Sequence, residues 1–319
     1  MSIATSGLHH VTAIAGDPQR NVDFYLKALG LRLVKTTVNF DDPGTYHLYY
    51  GDSSGAPGSL LTFFPWCEAP LGQHGTGQAT ATAFSVPESA IGWWRSHLAA
   101  VGVEVSEVVN RDDEDVLTFH DPDGLVIALV AHAQDDPRAP WDHGFVPPEH
   151  AIRGLHSVTL SVDQEAATVG MLVDDMGLRF RSEDGNRFRF AAGDGAAGAL
   201  VDVLVTPEAP PGLVAVGTVH HVAWRAPDED TQAAWRAELV DRGVNVTSIL
   251  DRQYFRSIYF REPGGTLLEV ATDEPGFAID EPLLELGRAL KLPPWLEPKR
   301  EEIEGILPKL NLPSPEEGP

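Results

Sequence analysis

Cysteine is almost missing from this chain: of 319 residues only Cys67 carries a thiol. An intramolecular disulfide and a multi-thiolate zinc site are therefore excluded. A reducing, cytoplasmic setting follows, with Cys67 read as a small buried hydrophobe. Positive charge is scarce as well. Lys and Arg number 23 against 47 Asp and Glu, a formal net charge of −24. That balance argues against nucleic acid or an anionic membrane as a partner. No apolar run reaches the ~18–20 residues of a transmembrane helix. The opening residues, Met1 to Ser6, lack the basic and apolar regions of a signal peptide. The rest is ordinary for a globular protein, with 43% hydrophobic and 8% aromatic residues. The length suits two domains.

The chain repeats itself. Four segments open alike: Gly7-Leu8-His9-His10-Val11-Thr12, Ala79-Thr80-Ala81-Thr82-Ala83-Phe84, Gly154-Leu155-His156-Ser157-Val158-Thr159 and Thr218-Val219-His220-His221-Val222-Ala223. Each opening strand leads into a helical stretch: Pro18 to Leu29, Pro87 to Val101, Gln164 to Met176 and Asp228 to Arg242. Gly30, Gly102, Gly177 and Gly243 follow these helices, where a left-handed residue closes the last turn. Strands rich in Val, Phe, Tyr and Leu come next, the last of each set after Gly58, Gly124, Gly198 or Gly265. A period of roughly 60–75 residues exceeds that of the common solenoids and suits a βαβββ unit. The expected class is α+β, with four βαβββ modules at 7–67, 78–133, 154–206 and 217–272. The first two make an N-terminal domain, 1–133, and the last two a C-terminal domain, 154–272. The proline- and acid-rich stretch 134–153 is the linker. A helical tail, 273–319, has stretches at 282–292 and 298–307, and its last residues, 313–319, read as disordered.

The repeat acts as an internal control for choosing ligands. Aligned on the opening strands, the position of His10 is held by Ala81, Ser157 and His221. Aligned on the turn glycines, the position of Glu269 is held by Thr62, Ala128 and Asp202. Only modules one and four keep metal-binding chemistry, as His10, His221 and Glu269. Modules one and four should then form a metal cup, and modules two and three an empty one. Strict strand alternation puts His10, Thr12 and His221 on the cup face, and His9, His156 and His220 on the packed face. Two neutral imidazoles and a carboxylate leave three positions open on an octahedral ion, the facial arrangement of non-haem Fe(II) oxygen chemistry. Zinc would favour a tetrahedral site with one open position.

Two stretches are highly specific. Leu8-His9-His10-Val11-Thr12 is followed by Gly30-Leu31-Arg32-Leu33-Val34-Lys35-Thr36-Thr37-Val38-Asn39-Phe40-Asp41-Asp42-Pro43. Gly217-Thr218-Val219-His220-His221-Val222-Ala223 is joined by Gly265-Thr266-Leu267-Leu268-Glu269-Val270-Ala271-Thr272. Together they resemble the hydroquinone-type ring-cleaving dioxygenases of the vicinal oxygen chelate (glyoxalase/bleomycin resistance/extradiol dioxygenase) superfamily, across about residues 7–295. The resemblance implies two vicinal-oxygen-chelate domains with cupped, curved mixed sheets. It implies an Fe(II) enzyme, with Mn(II) or another divalent ion able to replace iron, that opens a para-dihydroxybenzene ring with O2. Its partners are a small aromatic substrate and O2; a homo-oligomer is left open. Residues matching His10, His221 and Glu269 hold the metal, and those matching His9, Thr12, His220, Arg252 and Tyr259 lie near the substrate. For His9 and His220 this disagrees with strand alternation.

Phe40, Tyr46, Trp224 and Phe255 are candidates for an apolar wall. Asp202 reads as a solvated strand residue, and Asp112-Asp113-Glu114-Asp115 as a solvated hairpin loop. His47, His74, His97, His120, His132, His143 and His150 show no paired spacing and stay unassigned. A glyoxalase-like lyase or isomerase would want a fourth protein ligand where Thr62 stands, and a non-catalytic small-molecule-binding member would have lost the ligands.

Overall fold

The computed structural model describes residues 4–134 and 136–312. The expectation for 313–319 therefore lies outside the described residues. Four modules follow one another. The first holds β1 (Leu8–Ala15), β2 (Arg32–Asn39), β3 (Asp42–Gly51) and β4 (Leu60–Pro65). The second holds β5 (Gln78–Pro87), β6 (Val109–Arg111), β7 (Glu114–His120) and β8 (Val126–His132). The third holds β9 (Gly154–Val162), β10 (Arg179–Asp184), β11 (Arg187–Ala191) and β12 (Leu200–Val205). The fourth holds β13 (Val219–Ala226), β14 (Leu250–Asp251), β15 (Arg256–Arg261) and β16 (Leu267–Thr272).

A helix separates the first two strands of every module: α1 (Pro18–Asp23), α2 (Ile91–Ala100), α3 (Ala166–Gly170) and α4 (Glu229–Asp241). Local signals explain the starts of two of them. Asp17 caps α1 by accepting from the Arg20 amide, with Pro18 in the first turn, and Asp228 caps α4 by accepting from the Thr231 amide. Gly30, Gly102, Gly177 and Gly243 have φ of 68°, 81°, 72° and 83°, as a left-handed helix exit requires. The apolar faces of these helices pack on the sheets. Trp94 of α2 and Trp235 of α4 are fully buried, and each donates its ring N–H to a backbone carbonyl.

The sixteen strands form two eight-stranded mixed sheets, each a curled half-barrel. One has the order β14-β15-β16-β13-β1-β4-β3-β2 and the other β10-β11-β12-β9-β5-β8-β7-β6. Modules one and four thus share a sheet through antiparallel β1 and β13, and modules two and three share the other through β5 and β9. The sheets run across the 134–153 stretch, so neither is built from one half of the chain.

Bulges interrupt the central pairings. Between Leu8↔Trp224 and His10↔Ala223 the strand β1 carries an extra residue, His9, and between Thr12↔His221 and Ala13↔Val219 the strand β13 carries an extra one, His220. Thr80 and His156 occupy the equivalent places in the second sheet.

The tail departs from expectation. Residues 282–292 are not a helix. They form a short 3-10 turn, Leu283–Glu285, then turns and bends through residue 289, and they meet β2 at a single bridge, Leu290 with Thr36. Their backbone partners are tertiary: Thr36 donates its hydroxyl to the Gly287 carbonyl and accepts at its own carbonyl from the Lys291 amide, and Arg32 reaches the Leu283 carbonyl. Gly287, at φ 81° in the middle of the stretch, breaks the helix that was expected there. The second helix is present as α5 (Arg300–Ile306). Cys67, expected to be buried, is exposed. Among the described residues no helix is long and apolar enough to cross a membrane.

Candidate metal centre

His10, His221 and Glu269 come together on the inner face of the first sheet. β1 supplies His10, its antiparallel neighbour β13 supplies His221, and β16, parallel to β13, supplies Glu269 opposite Ala223. The His10 and His221 Nε2 atoms are 3.3 Å apart, and they lie 3.3 and 2.9 Å from Glu269 Oε2. Ligands about 2.0–2.2 Å from one ion stand roughly 3 Å apart when adjacent, so these three atoms fit one face of a coordination sphere.

All three side chains are buried, yet Glu269 Oε2 has no hydrogen-bond partner. The other oxygen, Oε1, accepts from the Ser257 hydroxyl at 2.5 Å. A buried carboxylate oxygen without a donor is costly unless a cation meets it. Burial opposes ionisation of Glu269, but positive charge at His10 and His221 holds its carboxyl well below the usual range, and a metal ion on the same atoms would supply that charge with both rings neutral. The donor set and the orphaned oxygen both fit a divalent ion.

The ring protons follow from the partners. His9 Nε2 lies 3.1 Å from the Thr272 carbonyl, which can only accept. Burial, and then His10, lower His9 to about 3, so it is neutral and its Nδ1 is an acceptor. That atom lies 2.9 Å from His10 Nδ1, which therefore donates and leaves the His10 Nε2 lone pair bare. An imidazole fixed in this way is the usual support for a metal ligand. His220 Nδ1 and His221 Nδ1 face each other at 2.7 Å. The same bare Nε2 on His221 requires His220 to accept there, so His220, which lines the pocket, keeps its proton on Nε2. Burial, and then His221, lower His220 to about 3.

The packed-face reading of His9 and His220 is corrected. A bulge residue escapes strict alternation, and each imidazole lies beside the histidine that follows it, His10 or His221. The third bulge histidine, His156, has the same local geometry, with Nδ1 3.1 Å from Ser157 Oγ.

A pocket of about 330 Å³ is lined by His10 and His221, with Glu269 buried behind them. Phe40, Phe64, Trp66 and Phe255 supply apolar surface, and His47, Arg252 and Tyr259 supply polar groups. Arg252 donates from Nε to the Tyr259 hydroxyl at 3.3 Å and pairs with Asp41 at 2.9 Å. Burial disfavours its charge, but Tyr259 and Asp41 outweigh burial and raise its pKa. Burial, and then Glu269, raise Tyr259, so its hydroxyl stays protonated.

Other candidates are placed differently. Thr12 does not line the pocket; it is buried with its hydroxyl 2.8 Å from Thr62, which also meets His47 Nε2 at 2.9 Å. Tyr46 turns to the Pro308 carbonyl, and Trp224 is fully buried.

Sequence reasoning missed His47, Ser257 and Asp41. Alternation carried a signal for the first two, since His47 shares a face of β3 with Tyr49 and Ser257 shares a face of β15 with Tyr259.

In the second sheet Asp202, expected to be solvated, is buried and accepts from Arg189 at 2.8 and 3.1 Å and from Arg187 at 2.9 Å. Guanidinium groups stand there in place of an ion.

A family model described as Glyoxalase/Bleomycin resistance protein/Dioxygenase superfamily matches residues 7–129 and 154–270. The chain is 44% identical over 310 residues to the "Putative ring-cleaving dioxygenase MhqO" of Bacillus subtilis, covering 97% of this chain and 98% of that protein. It is 38% identical over 305 residues to the "Chlorohydroquinone/hydroquinone 1,2-dioxygenase" of Sphingobium indicum, covering 93% and 94%. A solved structure from Bacillus subtilis superposes with a TM-score of 0.93 at 42% identity, covering 98% of this chain and 100% of that one. Glyoxalase I of Zea mays shares the fold, with a TM-score of 0.61 at 14% identity over 84% of this chain and 92% of that one.

Proposed function

The chain belongs to the Glyoxalase/Bleomycin resistance protein/Dioxygenase superfamily, and from that premise we propose that it is an Fe(II)-dependent dioxygenase that opens the ring of hydroquinones with O2. The observation that carries the reading is the facial set of His10 Nε2, His221 Nε2 and the unpartnered Glu269 Oε2, with both histidines lining an aromatic-walled pocket. Two relatives with ring-cleaving names, 44% and 38% identical over nearly full length, support the substrate class. Two imidazoles and one carboxylate suit iron with open positions, and Mn(II) shares those preferences closely enough to bind in its place. A cytoplasmic setting with small-molecule partners completes the proposal.

The bound ion would supply Lewis acidity toward a phenolic oxygen and a route for electrons to O2. The protein's own groups do the remaining work. His9 and His220 hold the two ligand rings in the tautomers that bare Nε2. His220 presents an Nε2–H to the pocket, where it can donate to a substrate oxygen or pass a proton to it. Tyr259, protonated and 3.3 Å from Arg252, offers a second hydrogen bond. The Arg252 guanidinium stabilises negative charge that develops on oxygen during ring opening. Phe40, Phe255 and their neighbours exclude water and orient the ring.

Thr62 argues against the glyoxalase-type reaction. It occupies the place of a fourth ligand, and its hydroxyl is already engaged by Thr12 and His47.

The test is anaerobic loading with Fe(II), followed by oxygen uptake with hydroquinone, methylhydroquinone and chlorohydroquinone. Stoichiometric uptake with loss of the aromatic absorbance is expected. No uptake with any dihydroxybenzene, together with turnover of the thiol adduct of methylglyoxal, would overturn the proposal.

A further inference from the structure

We propose that Asp41 makes the pocket selective for uncharged dihydroxybenzenes by occupying Arg252, so that a carboxylate on the substrate ring finds no free cationic partner. The inference rests on the hydroquinone reading above.

β14 and β2 are the two edge strands of the first sheet. Arg252 directly follows β14, and Asp41 sits on the two-residue turn, Phe40-Asp41, between β2 and β3. The sheet curls until these edges meet, and the 2.9 Å ion pair closes across the pocket mouth. Arg252 is the only Lys or Arg among the described residues lining the pocket. Its side chain is 17% exposed and that of Asp41 is 69% exposed. The cation therefore faces inward, and its counter-ion sits on the solvent side.

The carboxylate of Asp41 is not what holds its own turn. The Asp41 amide donates to Asn39 Oδ1 at 3.0 Å, and Phe40 packs edge-on against Trp295 at 5.7 Å. Arg252 is likewise held without Asp41. Its Nε reaches the Tyr259 hydroxyl, and its guanidinium lies 5.3 Å above that ring. Neutralising Asp41 should thus leave an oriented guanidinium facing the pocket, and a planar fork of N–H donors is the geometry that recognises carboxylates. With Asp41 present, a carboxylated ring must displace one anion from Arg252 while passing close to its charge at the mouth.

The experiment compares wild type with D41N and D41S, loaded with Fe(II) and kept anaerobic. Equilibrium binding of 2,5-dihydroxybenzoate and of methylhydroquinone is measured by calorimetry. The affinity ratio of the carboxylate to the uncharged ligand should rise at least tenfold in both variants. The gain should shrink in 0.5 M salt, because the contact lies near solvent, and it should vanish in D41N/R252Q. An unchanged ratio in both single variants overturns the inference, as does a gain that survives in the double variant. Failure of the function itself would read differently: wild type would neither bind methylhydroquinone nor consume oxygen with it.

Discussion

Glu269 shows how one side chain can report a missing charge. One oxygen is satisfied by Ser257, and the other is buried without a donor between two imidazole nitrogens. A cation bound there stabilises the folded chain by mass action, about 2.7 kcal/mol at a hundredfold excess over its dissociation constant. Added Fe(II) or Mn(II) should therefore raise the melting temperature of wild type. Glu269→Gln should abolish that rise and reduce ring-cleaving turnover by at least a hundredfold; calorimetric melts with and without metal check the first effect. An equal metal-induced shift in the variant would mean that the ion binds elsewhere. The repeat exposed which positions had kept His or Glu, and the structure brings those three side chains together. The bulge histidines were legible only as a recurrence. Their direction depends on an extra residue in one strand of a pair, which alternation cannot register. Asp41 gave no readable signal, because its importance comes from a neighbour contributed by another element.

The same dependence on neighbours governs whole elements. The four helices and sixteen strands follow local signals: capping aspartates, glycine exits and runs of β-branched and aromatic residues. The 282–292 segment does not, because β2 offers it hydrogen bonds that outweigh a weak helical pattern. Lys35 holds the residues that lead into this segment. Its side chain is fully buried on β2 and donates to Asp280 at 2.6 Å, to the Phe277 carbonyl at 3.2 Å and to Glu281, below the Tyr254 ring. Tyr254 in turn donates to Asp280 and lies beside Phe255 of the pocket. Lys35→Met leaves two carboxylates without their cation, and removing one partner of a buried pair costs about 3–5 kcal/mol. Chemical denaturation should show a loss of that order. A loss under about 1 kcal/mol would show that solvent reaches the cluster and that the segment is held by its backbone contacts instead.

At the scale of the molecule, the second sheet is held across its modules by charge where the first has a metal-type site. Glu114 of β7 meets His156 of β9 at 3.0 Å and Arg189 of β11 at 2.7 Å, and Arg189 continues to Asp202 of β12. Burial opposes the Glu114 charge, but His156 and Arg189 outweigh it and hold the carboxyl at about 2, below its ordinary 4.5. The folded value is depressed, so the stabilisation is complete above about pH 4.5 and is lost as pH falls toward 2. The lost amount is on the order of 3 kcal/mol. Unfolding free energies of wild type and Glu114→Gln should accordingly differ most near neutral pH and converge between pH 4.5 and 2. A difference independent of pH would assign the effect to packing alone.

Composition, repeat and turn chemistry determined by themselves that this is a four-module α+β chain, and which three residues retained metal-binding character. Those properties reside in residue type and spacing along the chain. Tertiary structure alone decided that two bulges turn His9 and His220 toward His10 and His221, that guanidinium groups meet Asp202 in the second sheet, that the tail meets β2, and that Asp41 reaches Arg252. Each of these depends on atoms from segments distant in the chain, brought together by the pairing of β1 with β13 and β5 with β9 and by the curl of each sheet. Local pattern does not encode the distance between such segments.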